Sequence, residues 1–225
     1  MSKVKAFISY SMVDREWAAR VKGCLDTLEI ESFIAHNDLV ISEEWKVRIL
    51  EELRTVDLFI CLLSKDFKAS DWCSQEVGFI ASRPEVVVIP VSIDGTVSFG
   101  FINHIQSQTV SRPSELEIEG LIINALLRKK PDMGIALGIK RMLVVRGYRT
   151  AEDITKRLMP FFSIFSAVQA EAFAEAAVKN AVVWDAGECA TKILPKFIEV
   201  CSNHLADKTL KALRFQITER MHYKE

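Results

Sequence analysis

The 225-residue sequence has no excess of charge of either sign and no long hydrophobic run. Its 29 Lys and Arg residues balance 30 Asp and Glu residues, so no overall basic field attracts nucleic acid or anionic lipid. The apolar stretches are far shorter than the ~18 residues that a membrane-spanning helix needs, and the first residues do not resemble a signal peptide. We therefore expect neither a membrane nor a nucleic acid as a partner.

Motifs of several common protein classes are also missing. The five cysteines form no Cys-x-x-Cys pair, and the four histidines are scattered. This pattern indicates no disulfide framework and no zinc site, and it favours a reducing cytoplasm without a bound metal. The glycine-rich phosphate-binding motifs and the Gly-x-Ser-x-Gly motif of hydrolases do not occur. These absences argue against Rossmann, P-loop and α/β-hydrolase enzymes.

Strand-like and helical patterns alternate in the first half of the chain. Short apolar, β-prone segments occupy 4–9, 31–35, 57–63 and 86–91, with a weaker one near 105–110. Helical spacing of apolar residues follows Asp14, spans 42–53, and returns at 72–82, whereas 64–71 is predicted to be a loop. Ser11 or Asp14 is expected to cap the first helix. The alternation predicts an α/β domain with a parallel sheet.

The second half of the chain has a different pattern. Amphipathic helices are predicted over 151–167, 169–183, 187–203 and 207–221. A plausible boundary, Lys129–Asp132, separates a domain at 1–130 from a small all-α domain at 135–225. The helical part carries no catalytic signature, so its role is either stabilisation of the first domain or assembly and sensing.

Candidate ligand-binding residues follow the predicted strands, because ligands of such sheets bind beyond the carboxyl ends of the strands. They are Ser9 at the end of the first strand with Tyr10 and Ser11 after it, His36 and Asp38 after the second, and Trp72 and Glu76 after the third. Structural explanations compete with each of these assignments. Asn and Asp favour turns for their own hydrogen bonds, and a glutamate on an amphipathic helix is usually solvated.

Five segments, in order, carry a resemblance to one family. They are Phe7–Ser11 with Asp14 behind it, His36–Asp38 followed by Glu43–Trp45, Asp57–Ile60, Ser70–Glu76, and Val88–Val91. Over residues 4–125 the chain resembles bacterial TIR (Toll/interleukin-1 receptor-like) domains of the NAD-cleaving type. The resemblance implies a flavodoxin-like parallel sheet flanked by helices. Many relatives have a Pro-Gly turn in the loop after the second strand, where this chain has the apolar run Leu39-Val40-Ile41.

The resemblance also implies an activity and a site. Glu76, four residues after Trp72, corresponds to the catalytic glutamate of the family, with NAD as substrate and no cofactor. The substrate contacts would be Trp72, Ser9, Tyr10, Ser11, His36 and Asp38, and the assembly loop would contain Leu39, Val40, Ile41 and Trp45. Relatives form homo-oligomers and are associated with antiphage defence, with an activating partner or signal acting through an attached domain.

A single carboxylate is chemically sufficient for this reaction. The nicotinamide of NAD is already cationic and leaves as a neutral base, so no general acid is needed, and Glu76 would stabilise the ribosyl cation. A glycohydrolase and a cyclase differ only in the nucleophile that captures this cation, which is water in the glycohydrolase and another nucleophile in the cyclase. Two alternatives stay open: a non-enzymatic TIR adaptor in signalling or host mimicry, and a base transferase that acts on free nucleosides.

Overall fold

A computed structural model describes residues 4–34, 43–109 and 114–222. Its sheet consists of β1 (Lys5–Ser9), β2 (Glu31–Ile34), β3 (Leu58–Leu63), β4 (Val87–Ser92) and β5 (Gln108–Thr109). The strands lie in the order β2-β1-β3-β4-β5, and every neighbouring pair is parallel. This order is that of the flavodoxin-like doubly wound sheet. The predicted fold class is therefore confirmed.

The helices of this part alternate with the strands. They are α1 (Arg15–Thr27), α2 (Glu43–Thr55), α3 (Lys65–Ala69), α4 (Asp71–Ala81) and α5 (Glu115–Lys129). The prediction of a plain loop over 64–71 is wrong, because α3 lies there. Ser64 begins α3 by accepting a hydrogen bond from the Phe67 backbone N–H at 2.9 Å, and the Phe67 ring is fully buried. One cap and one buried ring thus stabilise a turn too short to show periodicity.

Alternation along β1 and β3 sends one set of side chains toward α2 and α4. Phe7 pairs with Phe59, and both belong to a core cluster that includes Leu53 of α2 and Val77 of α4. Because side chains two apart on a strand share a face, Ser9 continues the face of Phe7. The carboxyl end of β1 therefore places a serine hydroxyl beneath the helical layer.

A buried polar contact joins the carboxyl ends of β1 and β3. The Ser64 hydroxyl donates to Asp14 Oδ2 at 2.6 Å, and both residues are buried. Burial raises the pKa of Asp14, opposed by this hydrogen bond. Asp14 occupies the N-cap position of α1, as predicted, but its side chain makes no cap hydrogen bond. Ser11 is the N-cap residue of the preceding 3₁₀ turn and makes none either. The Asp14 carboxylate satisfies Ser64 instead.

The chain divides into two compact units, Met1–Ala125 and Leu126–Glu225. The described helices of the second are α6 (Pro131–Val144), α7 (Tyr148–Leu158), α8 (Ala167–Lys179), α9 (Ala181–Asp185), α10 (Leu194–Cys201) and α11 (Asp207–His222), with a π-helical turn at Cys189–Ile193. Phe173 and Phe197 pack with their centroids 4.3 Å apart at the centre of an aromatic cluster. The predicted succession of helices is confirmed. Within the described ranges, no helix is long and apolar enough to cross a membrane.

Two helical glycines, one close to a neighbouring backbone and one in open space, offer a matched test of how tightly the helices pack. A Cβ on Gly134 would lie 2.5 Å from the backbone nitrogen of Leu127, whereas one on Gly23 would meet nothing within 4 Å. We expect Gly134→Ala to destabilise the protein by about 1–3 kcal/mol because backbone must move. Gly23→Ala should stabilise it by about 0.5–1 kcal/mol through helix propensity. Urea unfolding measures both effects on the free energy of unfolding, and equal effects would contradict the close approach of Gly134 to Leu127 within the second unit.

Candidate active site

The site is built on α4, whose buried stripe contains an acid. Cys73, Glu76, Val77 and Ile80 are the buried residues of this helix, at the three- and four-residue spacing of one helical face. The helix begins at the Ser70 cap, whose hydroxyl accepts from the Cys73 backbone N–H at 3.3 Å. The helical repeat therefore directs Glu76 toward the sheet, among positions that are otherwise apolar.

The carboxylate of Glu76 meets the end of β1. The Ser9 hydroxyl donates a hydrogen bond to Glu76 Oε2. Glu76 is only 4% exposed and Ser9 is 0% exposed. Burial raises the pKa of Glu76 from 4.5 to about 7, and the hydrogen bond from Ser9 opposes that rise. The site thus holds a carboxyl group that changes charge near neutral pH.

A cavity of about 580 Å³ opens at this carboxyl group, between α2 and α4. It is lined by Lys46, Ile49, Leu50, Leu53, Trp72, Gln75, Glu76 and Phe79. The half-buried Trp72 lies one turn before Glu76 on the same face of α4. An apolar cavity with an aromatic wall, one carboxyl group and one cation matches the usual composition of a small-molecule site.

The thiol of Cys73 completes the buried surroundings of Glu76. It is 1% exposed, and burial raises its pKa to about 12, with the Glu76 carboxylate adding to the rise. A thiol with such a pKa stays neutral and is a poor nucleophile at physiological pH. We therefore assign it a packing role beside the carboxyl group.

The structure separates the three predicted site residues of the first loop. Ser9 lies under Glu76, as described above. Tyr10 is buried and lines another cavity of about 610 Å³ beside α1, together with Arg15 and Ile34. Ser11 is half-buried and precedes a 3₁₀ turn at Met12–Asp14. The first strand thus brings Ser9 to the carboxyl group and directs Tyr10 to a different cavity.

The other predicted contacts fall on the segment between β2 and α2. His36, Asp38, Leu39, Val40 and Ile41 lie outside the described residues. Trp45, predicted to belong to the assembly loop, lies in the first turns of α2. It is half-buried, and its ring packs against Phe33 with the centroids 5.8 Å apart.

Sequence reasoning missed the contribution of α2 to the site. Lys46, Ile49, Leu50 and Leu53 recur at three- and four-residue spacing, which places them on one helical face. That spacing was visible in the sequence, but the cavity depends on how α2 packs against α4. The position of Glu76 on an apolar stripe, between Cys73 and Ile80, was a second available signal that this glutamate is buried.

Comparison with known families agrees with the sheet. Residues 6–121, just over half of the chain, match the family model of the TIR domain. The chain therefore belongs to the TIR domain family, whose members include both NAD-cleaving enzymes and adaptors and generally self-associate. No curated protein shows significant sequence similarity to the chain. Among the residues that the structure describes, no cluster of His, Cys, Asp or Glu could hold a metal ion.

Burial of Glu76 has a consequence for stability. Because its folded-state pKa is about 7 against 4.5 unfolded, the folded protein binds more protons between these values. Wild-type stability should therefore fall as the pH rises through this window, by up to about 3 kcal/mol, and level off above it. Glu76→Gln should remove this dependence and be the more stable protein at pH 8.

Urea unfolding of wild type and variant from pH 4 to pH 9 measures the effect. Glu51→Gln, which changes an exposed glutamate on α2, is the matched control and should follow wild type at every pH. Parallel stability curves for wild type and Glu76→Gln would show that the carboxyl group is not buried as described.

Proposed function

We propose that the TIR domain cleaves NAD at the nicotinamide–ribose bond, with Glu76 as the catalytic carboxylate. One observation carries the proposal: a buried glutamate, one helical turn after a tryptophan, lines a cavity large enough for the reacting half of a dinucleotide. Family membership supports it, because NAD cleavage is one of the activities found among TIR domains.

The chemistry follows from the substrate. The C–N bond breaks with its electron pair going to the nicotinamide, which leaves as a neutral base. The ribose is left as an oxocarbenium-like cation, which the Glu76 carboxylate stabilises in a cavity of low polarity. Water then adds to the anomeric carbon and releases one proton, or a nitrogen of the adenine adds and closes a ring. The described residues favour neither acceptor, so the product is either ADP-ribose or its cyclic form.

The walls of the cavity supply orientation. The half-buried indole of Trp72 is placed to stack against the nicotinamide or to pack against the ribose. Lys46 is exposed at the edge of the same cavity, where its ammonium can pair with a phosphate of the dinucleotide. The cationic ring, once bound, favours the ionised form of Glu76 and so lowers its pKa.

Control by self-assembly is part of the proposal. TIR domains generally self-associate, and the apolar run Leu39-Val40-Ile41, which lies outside the described residues, would supply the contact. The helical unit would receive an activating signal or partner, and antiphage defence in the cytoplasm is the setting that the family resemblance suggests.

Nicotinamide release is the direct test. We expect concentrated wild-type protein to consume NAD and Glu76→Gln to lose about 10²–10³-fold in kcat, since one stabilising group in the transition state is removed. Glu51→Gln should retain wild-type activity. Chromatography of the second product then separates hydrolysis from cyclisation, and activity per molecule should rise with protein concentration.

Equal activity of wild type and Glu76→Gln would contradict the assignment of Glu76 as the catalytic carboxylate. Absence of NAD cleavage by concentrated wild type, under conditions in which it assembles, would leave the adaptor function in its place. Cleavage of free nucleosides in preference to NAD would instead identify a nucleoside-base transferase.

The role of Lys46 is tested separately. Lys46→Met keeps the aliphatic stem and removes the charge, so we expect KM for NAD to rise roughly tenfold with kcat within about twofold of wild type. Lys65→Met is the control, because Lys65 is exposed at the start of α3 and does not line the cavity. Identical KM values for the two variants would show that Lys46 does not meet a phosphate.

A further inference from the structure

We infer that Ser9 is a positioning residue, which holds the Glu76 carboxylate through its Oε2 atom and thereby turns Oε1 toward the substrate. The inference deepens the proposed function and rests on it. It differs from a direct substrate contact, because Ser9 would act only through Glu76.

The geometry places Ser9 out of reach of a ligand. Its side chain is 0% exposed, and the cavity is lined by Glu76 but not by Ser9. The hydroxyl donates to Oε2 of the carboxylate. One oxygen of Glu76 is therefore engaged on the protein side, and the other is the atom that can meet the ribose.

Both partners of this contact lie in regular, buried secondary structure. Ser9 ends β1 and pairs with Cys61 of the fully buried strand β3. Glu76 lies in the middle of α4, with Cys73, Val77 and Ile80 packed on the same buried stripe. The sheet positions the serine and the helix positions the glutamate. The orientation of the carboxylate therefore does not depend on a loop.

The hydrogen bond also affects the charge of the site. A hydroxyl that donates to a carboxylate favours the ionised form, and the Ser9 contact lowers the pKa of Glu76 against the effect of burial. Catalysis by charge stabilisation needs that ionised form. Ser9 thus offsets part of the cost of burying the acid.

The first test is the pH profile of kcat/KM, which reports the free enzyme. In Ser9→Ala we expect the acidic limb to move up by about one unit, so that activity at pH 6 falls about tenfold relative to wild type. At pH 9 Glu76 is ionised in wild type and in the variant alike, so the loss of activity should be smaller there and confined to kcat. A purely structural role would lower activity equally at all pH values.

Ser92→Ala is the matched control. Ser92 ends β4 as Ser9 ends β1, is also 0% exposed, and its hydroxyl has no hydrogen-bond partner among the described residues. This variant removes a buried hydroxyl without removing a contact, and its pH profile should coincide with that of wild type. The same shift in both serine variants would overturn the inference.

A second measurement does not depend on NAD cleavage. Urea unfolding from pH 4 to pH 9 gives the folded-state pKa of Glu76, and Ser9→Ala should raise it by about one unit. In a Glu76→Gln background, Ser9→Ala should change the free energy of unfolding by the same amount at every pH. A pH-independent effect with Glu76 present would overturn the inference even if NAD is cleaved. If Ser9→Ala raises the pKa of Glu76 as expected but wild type does not cleave NAD, the contact between Ser9 and Glu76 is supported and the proposed reaction is rejected.

Discussion

The hydrogen bond between Ser9 and Glu76 joins the carboxyl end of a central strand to the middle of a helix, and it encloses an acid that water would otherwise solvate. The sheet has to place a serine on the face that continues Phe7. The helix has to begin at Ser70 so that its repeat directs Glu76 inward. A change in the register of either element would leave the carboxyl group buried without a partner, which is costly.

With Glu76 directed inward, the two helices beside it supply different parts of the cavity wall. α4 supplies the carboxyl group and the aromatic wall, while α2 supplies an apolar wall and the edge cation Lys46. The Asp14–Ser64 contact joins the adjacent strand ends, so the rim of the sheet beside the site is itself fixed by a buried hydrogen bond.

Much of this architecture was predictable from local pattern. Strand segments, helix order and the parallel α/β class followed from apolar periodicity. The flavodoxin-like sheet and the choice of Glu76 as a site residue were implied by the resemblance to TIR domains. The short helix α3 was missed because one cap and one buried ring produce no periodic signal. Asp14 takes the predicted N-cap position of α1 without a cap hydrogen bond, because a serine 50 residues away donates to its carboxylate. The role of Ser9 and the contribution of Lys46 depend on contacts between distant elements, which spacing along the chain does not encode.

The proposed reaction requires that Glu76 is a buried acid that meets the cationic end of bound NAD. Carbon-13 NMR of the glutamate carboxyl groups, assigned with Glu76→Gln, measures its pKa directly with and without a non-cleavable NAD analogue. We expect a pKa of about 7 in the free protein and a lower value when the analogue is bound. A carboxyl group that titrates near its ordinary value and does not respond to the analogue would contradict both the burial and the proposed substrate.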